Sequence, residues 1–143
     1  MPADTLQFMQ RLWELAHALD VRSKRMAVTI GVTGPQRLVL RIVGKTPGQS
    51  ASEIATTLGK HPSTLTGVLA RLEDRGLILR AADQVDRRRT RFTLTAAGKR
   101  IDRESRGTVE AAIRRALGRT SSAHVAGTLA TVQSIVEELE REE

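Results

Sequence analysis

The chain has 143 residues and no cysteine, which excludes disulfides, thiolate catalysis and cysteine-based redox sensing. Lys and Arg outnumber Asp and Glu by 23 to 16, and five of the acids lie in residues 137–143. Residues 1–136 therefore carry 22 bases against 11 acids, a balance that calls for a polyanionic partner. No apolar run reaches membrane-spanning length, and the first twenty residues lack a basic start followed by an apolar block, so a cytoplasmic protein is expected.

In chain order, Leu6, Met9, Leu12, Trp13, Ala16 and Leu19 form an apolar stripe that predicts a helix from about Asp4 into the twenties. Thr33 and Gln36 have capping-box spacing with Pro35 in the first turn, predicting a second helix from Gly34 to about Val43. Arg37 and Arg41 lie one turn apart on it and suit either phosphate contacts or a solvated face. Lys45-Thr46-Pro47-Gly48 breaks that helix. Ser50 and Glu53 form another capping-box pair, so a third helix begins near Ala51 and stops at Gly59.

Pro62 then opens a fourth helix whose apolar stripe is Leu65, Val68, Leu69 and Leu72, closed by Gly76. Helix, glycine-containing turn, helix is the arrangement that places a second helix in a DNA major groove. Leu77–Leu79 and Thr90–Leu94 read as two short strands around a polar, basic tip. That hairpin is a wing, and Arg87, Arg88 and Arg89 at its tip suit a minor groove lined by phosphates. Asp86 is placed to hold Arg88 through an ion pair two residues long. Thr95 reads as the N-cap of a long helix reaching about Leu117. After Gly118 and Ser121-Ser122, a last helix runs to near Arg141, with Val125, Leu129, Val132, Val136 and Leu139 on a heptad seam. The seam fits either an intrachain core or an interface between two chains.

On the fourth helix, setting Leu65 toward the core places Ser63, Gly67 and Ala70 opposite, with Thr66 and Arg71 on the flanks. Arg71 is the long base-reading candidate, able to bond guanine bidentately. Ser63, Thr64 and Thr66 suit phosphate bonds or methyl contacts with thymine. Small Gly67 and Ala70 shift weight toward shape and wing contacts.

The ordered set T-G-P-Q-R-L-V-L at 33–40, S-E-I-A-T-T-L-G at 52–59, P-S-T-L-T-G-V-L-A-R-L-E-D-R-G-L-I at 62–78, D-Q-V-D-R-R-R at 83–89 and F-T-L-T-A-A-G at 92–98 resembles the MarR family of bacterial transcription regulators. It covers roughly half the chain. Gly67 and Ala70 stand where that family often has larger polar side chains, and His61 where a Ser or Thr N-cap is usual. The resemblance implies a mainly α (α+β) fold: a single domain over 1–143, with a winged helix-turn-helix core at about 33–98. Dimerisation helices are then expected at about 4–29 and 96–141. It implies a homodimeric repressor binding double-stranded DNA at an inverted repeat. It also implies a small aromatic or anionic effector in a cleft near Trp13, His17, Met26, Arg37 and Arg41, although Trp13 and Met26 read more readily as plain core.

No enzyme, cofactor or metal site is expected. His17, His61 and His124 are scattered without ligand neighbours, and there is no phosphate loop or nucleophile elbow. Three aromatic residues, Phe8, Trp13 and Phe92, make no platform for single-stranded bases. The other reading the residues allow is a winged module whose basic face docks an acidic protein.

Overall fold

A computed structural model of the chain describes residues 3–59 and 62–142, with side chains described over 4–59 and 65–142. The order among these is α1 (Ala3–Thr29), α2 (Gly34–Lys45), α3 (Ala51–Leu58), α4 (Pro62–Asp74), β1 (Ile78–Ala82), β2 (Thr90–Leu94), α5 (Ala96–Arg103), α6 (Val109–Leu117) and α7 (Ser122–Glu140). The chain divides into two compact units, Met1–Thr108 and Val109–Glu143. The first is a winged helix-turn-helix preceded by a long helix; the second is a pair of helices.

Local chemistry sets most of the boundaries in the first unit. At α2 the Gln36 N–H donates to Thr33 Oγ1 (3.3 Å) and the Thr33 N–H donates back to Gln36 Oε1 (3.1 Å), completing the capping box. The Gly34 N–H also donates to Ser23 Oγ at 2.8 Å, which ties the start of α2 to α1. Ser50 caps α3 by accepting the Glu53 N–H at 3.2 Å, and Gly59 ends that helix in the left-handed region (φ 66°). The expected N-cap position His61 lies outside the described residues.

α2, α3 and α4 close over one core with the wing. Its buried members include Val39, Leu40 and Val43 from α2, Ile54 from α3, Leu65, Leu69 and Leu72 from α4, and Ile78 and Phe92 from the strands. Burying so many whole aliphatic side chains, each stabilising by about 1.5–3 kcal/mol, is what holds three short helices together. β1 and β2 pair antiparallel with Ile78 opposite Leu94 and Arg80 opposite Phe92. The segment before α3 adds a short third edge: Gly48 N–H donates to Phe92 O (2.9 Å) and Phe92 N–H to Gln49 O (3.0 Å).

The long helix expected from Thr95 to Leu117 is two helices. Thr95 does cap α5, accepting the Gly98 N–H at 3.0 Å, but α5 ends at Arg103. Glu104 turns extended, its carboxylate accepts the Arg106 N–H (3.1 Å), and Gly107 adopts φ 78°, a conformation that other residues rarely take. Thr108 is fully buried and donates its hydroxyl to Ser105 O at 2.9 Å, which pins the break.

The amphipathic stripes on α1 and α7 lie largely uncovered in the chain. Leu6, Met9, Trp13 and Leu19 of α1 are exposed, while Met26 near its end is fully buried. On α7, Leu129, Val132, Val136 and Leu139 are exposed and Val125 is half-buried.

Candidate nucleic-acid interface

α3, α4 and the wing enclose a concavity of about 330 Å³ bordered by Ser52, Thr66, Arg80, Arg88, Arg89 and Thr90. Its floor is the apolar pair Leu69 and Phe92. Position follows from register. Thr66 neighbours the buried Leu65 on α4 and is turned out, and Arg80, on the same face of β1 as the buried Ile78 and opposite Phe92, is exposed further along the strand. Gly67, Ala70 and Arg71 are exposed on α4, and Arg71 has no side-chain partner among the described residues. Ser63 and Thr64 fall in the first turn of α4, and their side chains lie outside the described residues.

The wing tip is built by carboxylates. Asp83, nearly buried, accepts the Val85 N–H (2.8 Å) and the Asp86 N–H (3.5 Å), forming a turn closed by its own side chain. Arg91 donates to its other oxygen at 2.9 Å. The Val85 N–H bond, with Arg91 and the Asp86 N–H, holds the Asp83 carboxyl below its ordinary range, against the opposing effect of burial. Asp86 in turn accepts from Arg88 twice, from its N–H at 3.1 Å and its Nε at 3.2 Å. The Arg88 side chain is nonetheless 92% exposed, so its guanidinium points into solvent with one face held.

The three adjacent arginines are thus not equivalent. Arg88 is paired with Asp86. Arg89 turns back to α3, where it pairs with the Glu53 carboxylate and donates to Ser50 Oγ at 3.2 Å. Arg87 is exposed with no ion pair among the described residues. Bringing three like charges together is accordingly offset within the protein itself. Arg80 is compensated as well, donating to Glu73 at 2.8 Å with its guanidinium 5.6 Å from the centre of the Phe92 ring. Arg80 and Asp83 were not singled out in the sequence, and Glu53 only as a helix-capping residue. Only Asp83 carries a local signal, an aspartate two residues before a free N–H at a strand end.

Arg37 and Arg41 both bond the end of α5, Arg37 from a buried position and Arg41 from an exposed one. Arg37 is 4% exposed and donates to Ile101 O at the end of α5. One turn on, Arg41 bonds Asp102 O and Oδ1, both at 3.1 Å. Together they satisfy carbonyls that a helix C-terminus leaves open. Of the five expected cleft residues, Arg41 lines a surface hollow. Trp13 is 67% exposed and His17 is exposed, whereas Met26, thirteen residues along the same helix and so about 20 Å away, is buried. Arg41 borders a hollow of about 360 Å³ with Ile42, Lys45 and Asp102. A separate hollow of about 310 Å³ lies between the end of α1 and α5, edged by Thr29, Ile30, Ala97, Arg100, Ile101 and Glu104.

Among the described residues no group of three His, Asp or Glu side chains could hold a metal ion, and no helix is long and apolar enough to cross a membrane.

A protein-family model described as the MarR family matches residues 32–90. The HTH-type transcriptional repressor Rv2887 of Mycobacterium tuberculosis is 33% identical over 93 residues, covering 65% of this chain and 67% of that protein. In fold, the chain is similar to MepR of S. aureus, solved in complex with DNA (TM-score 0.75, 18% identity, 93% of this chain and 98% of that one). It is also similar to the PcaV transcriptional regulator of Streptomyces coelicolor, solved with its natural ligand (TM-score 0.72, 24% identity, 92% of each chain).

Proposed function

Because the chain belongs to the MarR family and is a DNA-binding transcription regulator, we propose that it works as a homodimeric repressor on an inverted-repeat operator. The observation that carries this reading is the concavity between α4 and the wing, rimmed by Arg80, Arg88 and Arg89, with Arg71 exposed on α4 and Arg87 exposed at the wing tip. α4 enters the major groove, where Arg71 reads guanine and Thr66, with Ser63 and Thr64, bonds phosphate or meets thymine methyls. Gly67 and Ala70 let the helix backbone approach closely. The wing reaches the adjacent minor groove with Arg87 and with Arg88, which Asp86 aims; Arg89 supports it from the α3 side.

Repression is supported by the name of the Mycobacterium relative, and groove binding by the fold shared with MepR in its DNA complex. Dimerisation is supported by the uncovered stripes of α1 and α7, where Trp13, Leu129 and Leu139 are each more than half exposed. Exposed apolar faces of that extent mark association sites. A two-fold dimer sets its recognition helices about 34–36 Å apart, one DNA turn. A small aromatic or anionic effector fits the hollow beside α5, where Arg100 offers a cation over the apolar Ile30, Ala97 and Ile101. The ligand-bound PcaV structure supports an effector of some kind.

Selection of duplexes from a random pool, with sedimentation of the free protein, tests the reading. An enriched inverted repeat with half-sites about one turn apart, bound by a species of twice 15.7 kDa, is expected. A monomer, or a pool that enriches no sequence, overturns it.

A further inference from the structure

Two helices of the winged unit start with the same sequence device, and only one completes it. At α2 the Thr33 and Gln36 bonds run in both directions. At α3, Ser50 Oγ accepts the Glu53 N–H, but Glu53 makes no return bond to the Ser50 N–H, which has no acceptor among the described residues. The Glu53 carboxylate has gone instead to Arg89, thirty-six positions away on the wing, and Arg89 also donates to the capping oxygen of Ser50. Ser50 as a whole residue is only 8% exposed. The Arg89 side chain, by contrast, is 47% exposed on the rim of the concavity, within reach of an incoming anion.

We propose that Glu53 is a carboxylate with two alternative donors, and that a DNA phosphate moves it from one to the other. In the free protein it neutralises Arg89. When a phosphate takes the Arg89 guanidinium in a bidentate pair, Glu53 turns to the Ser50 N–H and closes the α3 capping box. There the carboxylate lies at a helix N-terminus, where the helix dipole favours it. Glu53 is thus a positioning residue that competes with DNA for the wing, and the vacant N–H keeps that competition from being prohibitive. This rests on the proposed use of the concavity as a phosphate-binding surface.

The exchange has an ionic signature that a purely structural contact lacks. A phosphate met by an uncompensated cation releases a counterion and steepens the salt dependence by about 0.9. A phosphate met by Arg89 releases one too, but Glu53, stripped of its partner, takes up a cation in return. Arg89 therefore adds affinity with little salt dependence. Glu53→Gln leaves a side chain able to make the capping bond, as Gln36 makes it at α2, and removes the competing charge.

The test is binding of a labelled operator duplex over a salt series by wild type, Glu53→Gln, Arg89→Ala and the double variant, with helical content checked for each. Glu53→Gln is expected to bind more tightly at low salt, with the slope steeper by about 0.9 per protomer. That is roughly a three- to fourfold loss of its advantage between 50 and 200 mM salt. Arg89→Ala should bind more weakly with the wild-type slope, and the double variant should return to that slope. In the wild type, exchange of the Ser50 amide hydrogen should slow when duplex is added. Weaker binding by Glu53→Gln at unchanged slope would make Glu53 a holder of Arg89 and overturn the exchange, as would an unaltered Ser50 amide. A wild type that binds no duplex would instead remove the phosphate reading on which the exchange stands, and this is seen before any variant is compared.

Discussion

Replacing Gly98 by alanine should destabilise this protein, against the general rule for helices. In an ordinary helical position glycine to alanine gains about 1 kcal/mol. At Gly98 a Cβ would stand 2.0 Å from Leu77 O, 3.1 Å from Leu77 C and 3.5 Å from Leu94 Cβ. The obstacle is backbone, so it cannot swing aside. Restoring an ordinary carbon–oxygen contact requires the start of α5 and the end of α4–β1 to part by about 1.3 Å. That parting strains three bonds at once: Thr95 N–H to Leu77 O (3.1 Å), Thr95 Oγ1 to Gly76 O (2.7 Å) and the Gly98 N–H cap (3.0 Å). Loss of the cap costs about 1 kcal/mol, the backbone bond about 0.5–1.5 and the overpacking about 1–3. Set against the helix gain, the net loss is about 2–4 kcal/mol, a fall in Tm of roughly 6–15 °C for a chain of this length. Gly67→Ala is the control: nothing lies within 4 Å of its Cβ, and it should raise Tm by about 3 °C. Thermal melts followed by circular dichroism at one protein concentration measure both. An unchanged or raised Tm for Gly98→Ala would refute the argument from close approach.

Arg37→Ala should lose about 1.5–3 kcal/mol of stability, because it leaves Ile101 O without its charged donor, while the salt slope of DNA binding stays at the wild-type value. A slope reduced by about 0.9 would mean that Arg37 meets phosphate after all. Asp83→Asn should lower Tm at neutral pH. Since the folded carboxyl sits below its ordinary range, its contribution is complete above about pH 4 and is lost as pH falls through the folded value, so the Tm gap should close on acidification. A gap that widens below about pH 4 contradicts this. Arg71→Ala should reduce discrimination at one base pair by about 1–3 kcal/mol in competition binding. An equal loss on matched and scrambled duplexes would make Arg71 a phosphate contact.

What could be read from the sequence was what short-range chemistry decides. Thr33-Pro35-Gln36 and the stripe Leu65, Leu69, Leu72 fix α2 and α4 without help from the rest of the chain. Asp86 and Arg88, two residues apart, were legible for the same reason. The spacing of Ser50 and Glu53 placed the start of α3 correctly, but not the destination of the Glu53 carboxylate, which a distant arginine takes. Arg37 read as a surface cation, since nothing nearby in sequence announces that the end of α5 will lie against it. The break at 104–108 was hidden in a polar stretch, where only Gly107 marks the reversal. Trp13 and Met26, both named for an effector cleft, lie thirteen residues apart on α1, about 20 Å along a helix. The destinations of Glu53 and Arg37 depend on partners supplied by tertiary folding, as do the pairs Arg80–Glu73 and Arg91–Asp83 at the rim of the concavity and the wing tip.

The central claim, that the face formed by α4 and the wing reads double-stranded DNA by sequence, is tested most directly by fluorescence anisotropy. A labelled duplex from the protein's own upstream region would be titrated beside a scrambled duplex across a salt series. Selective binding of the native duplex, with affinity falling steeply and log-linearly as salt rises, is the expected result, and the slope counts the uncompensated phosphate contacts. Equal, weak binding to both duplexes, repeated for duplexes recovered by selection, would contradict the account and leave a basic face better suited to an acidic protein partner.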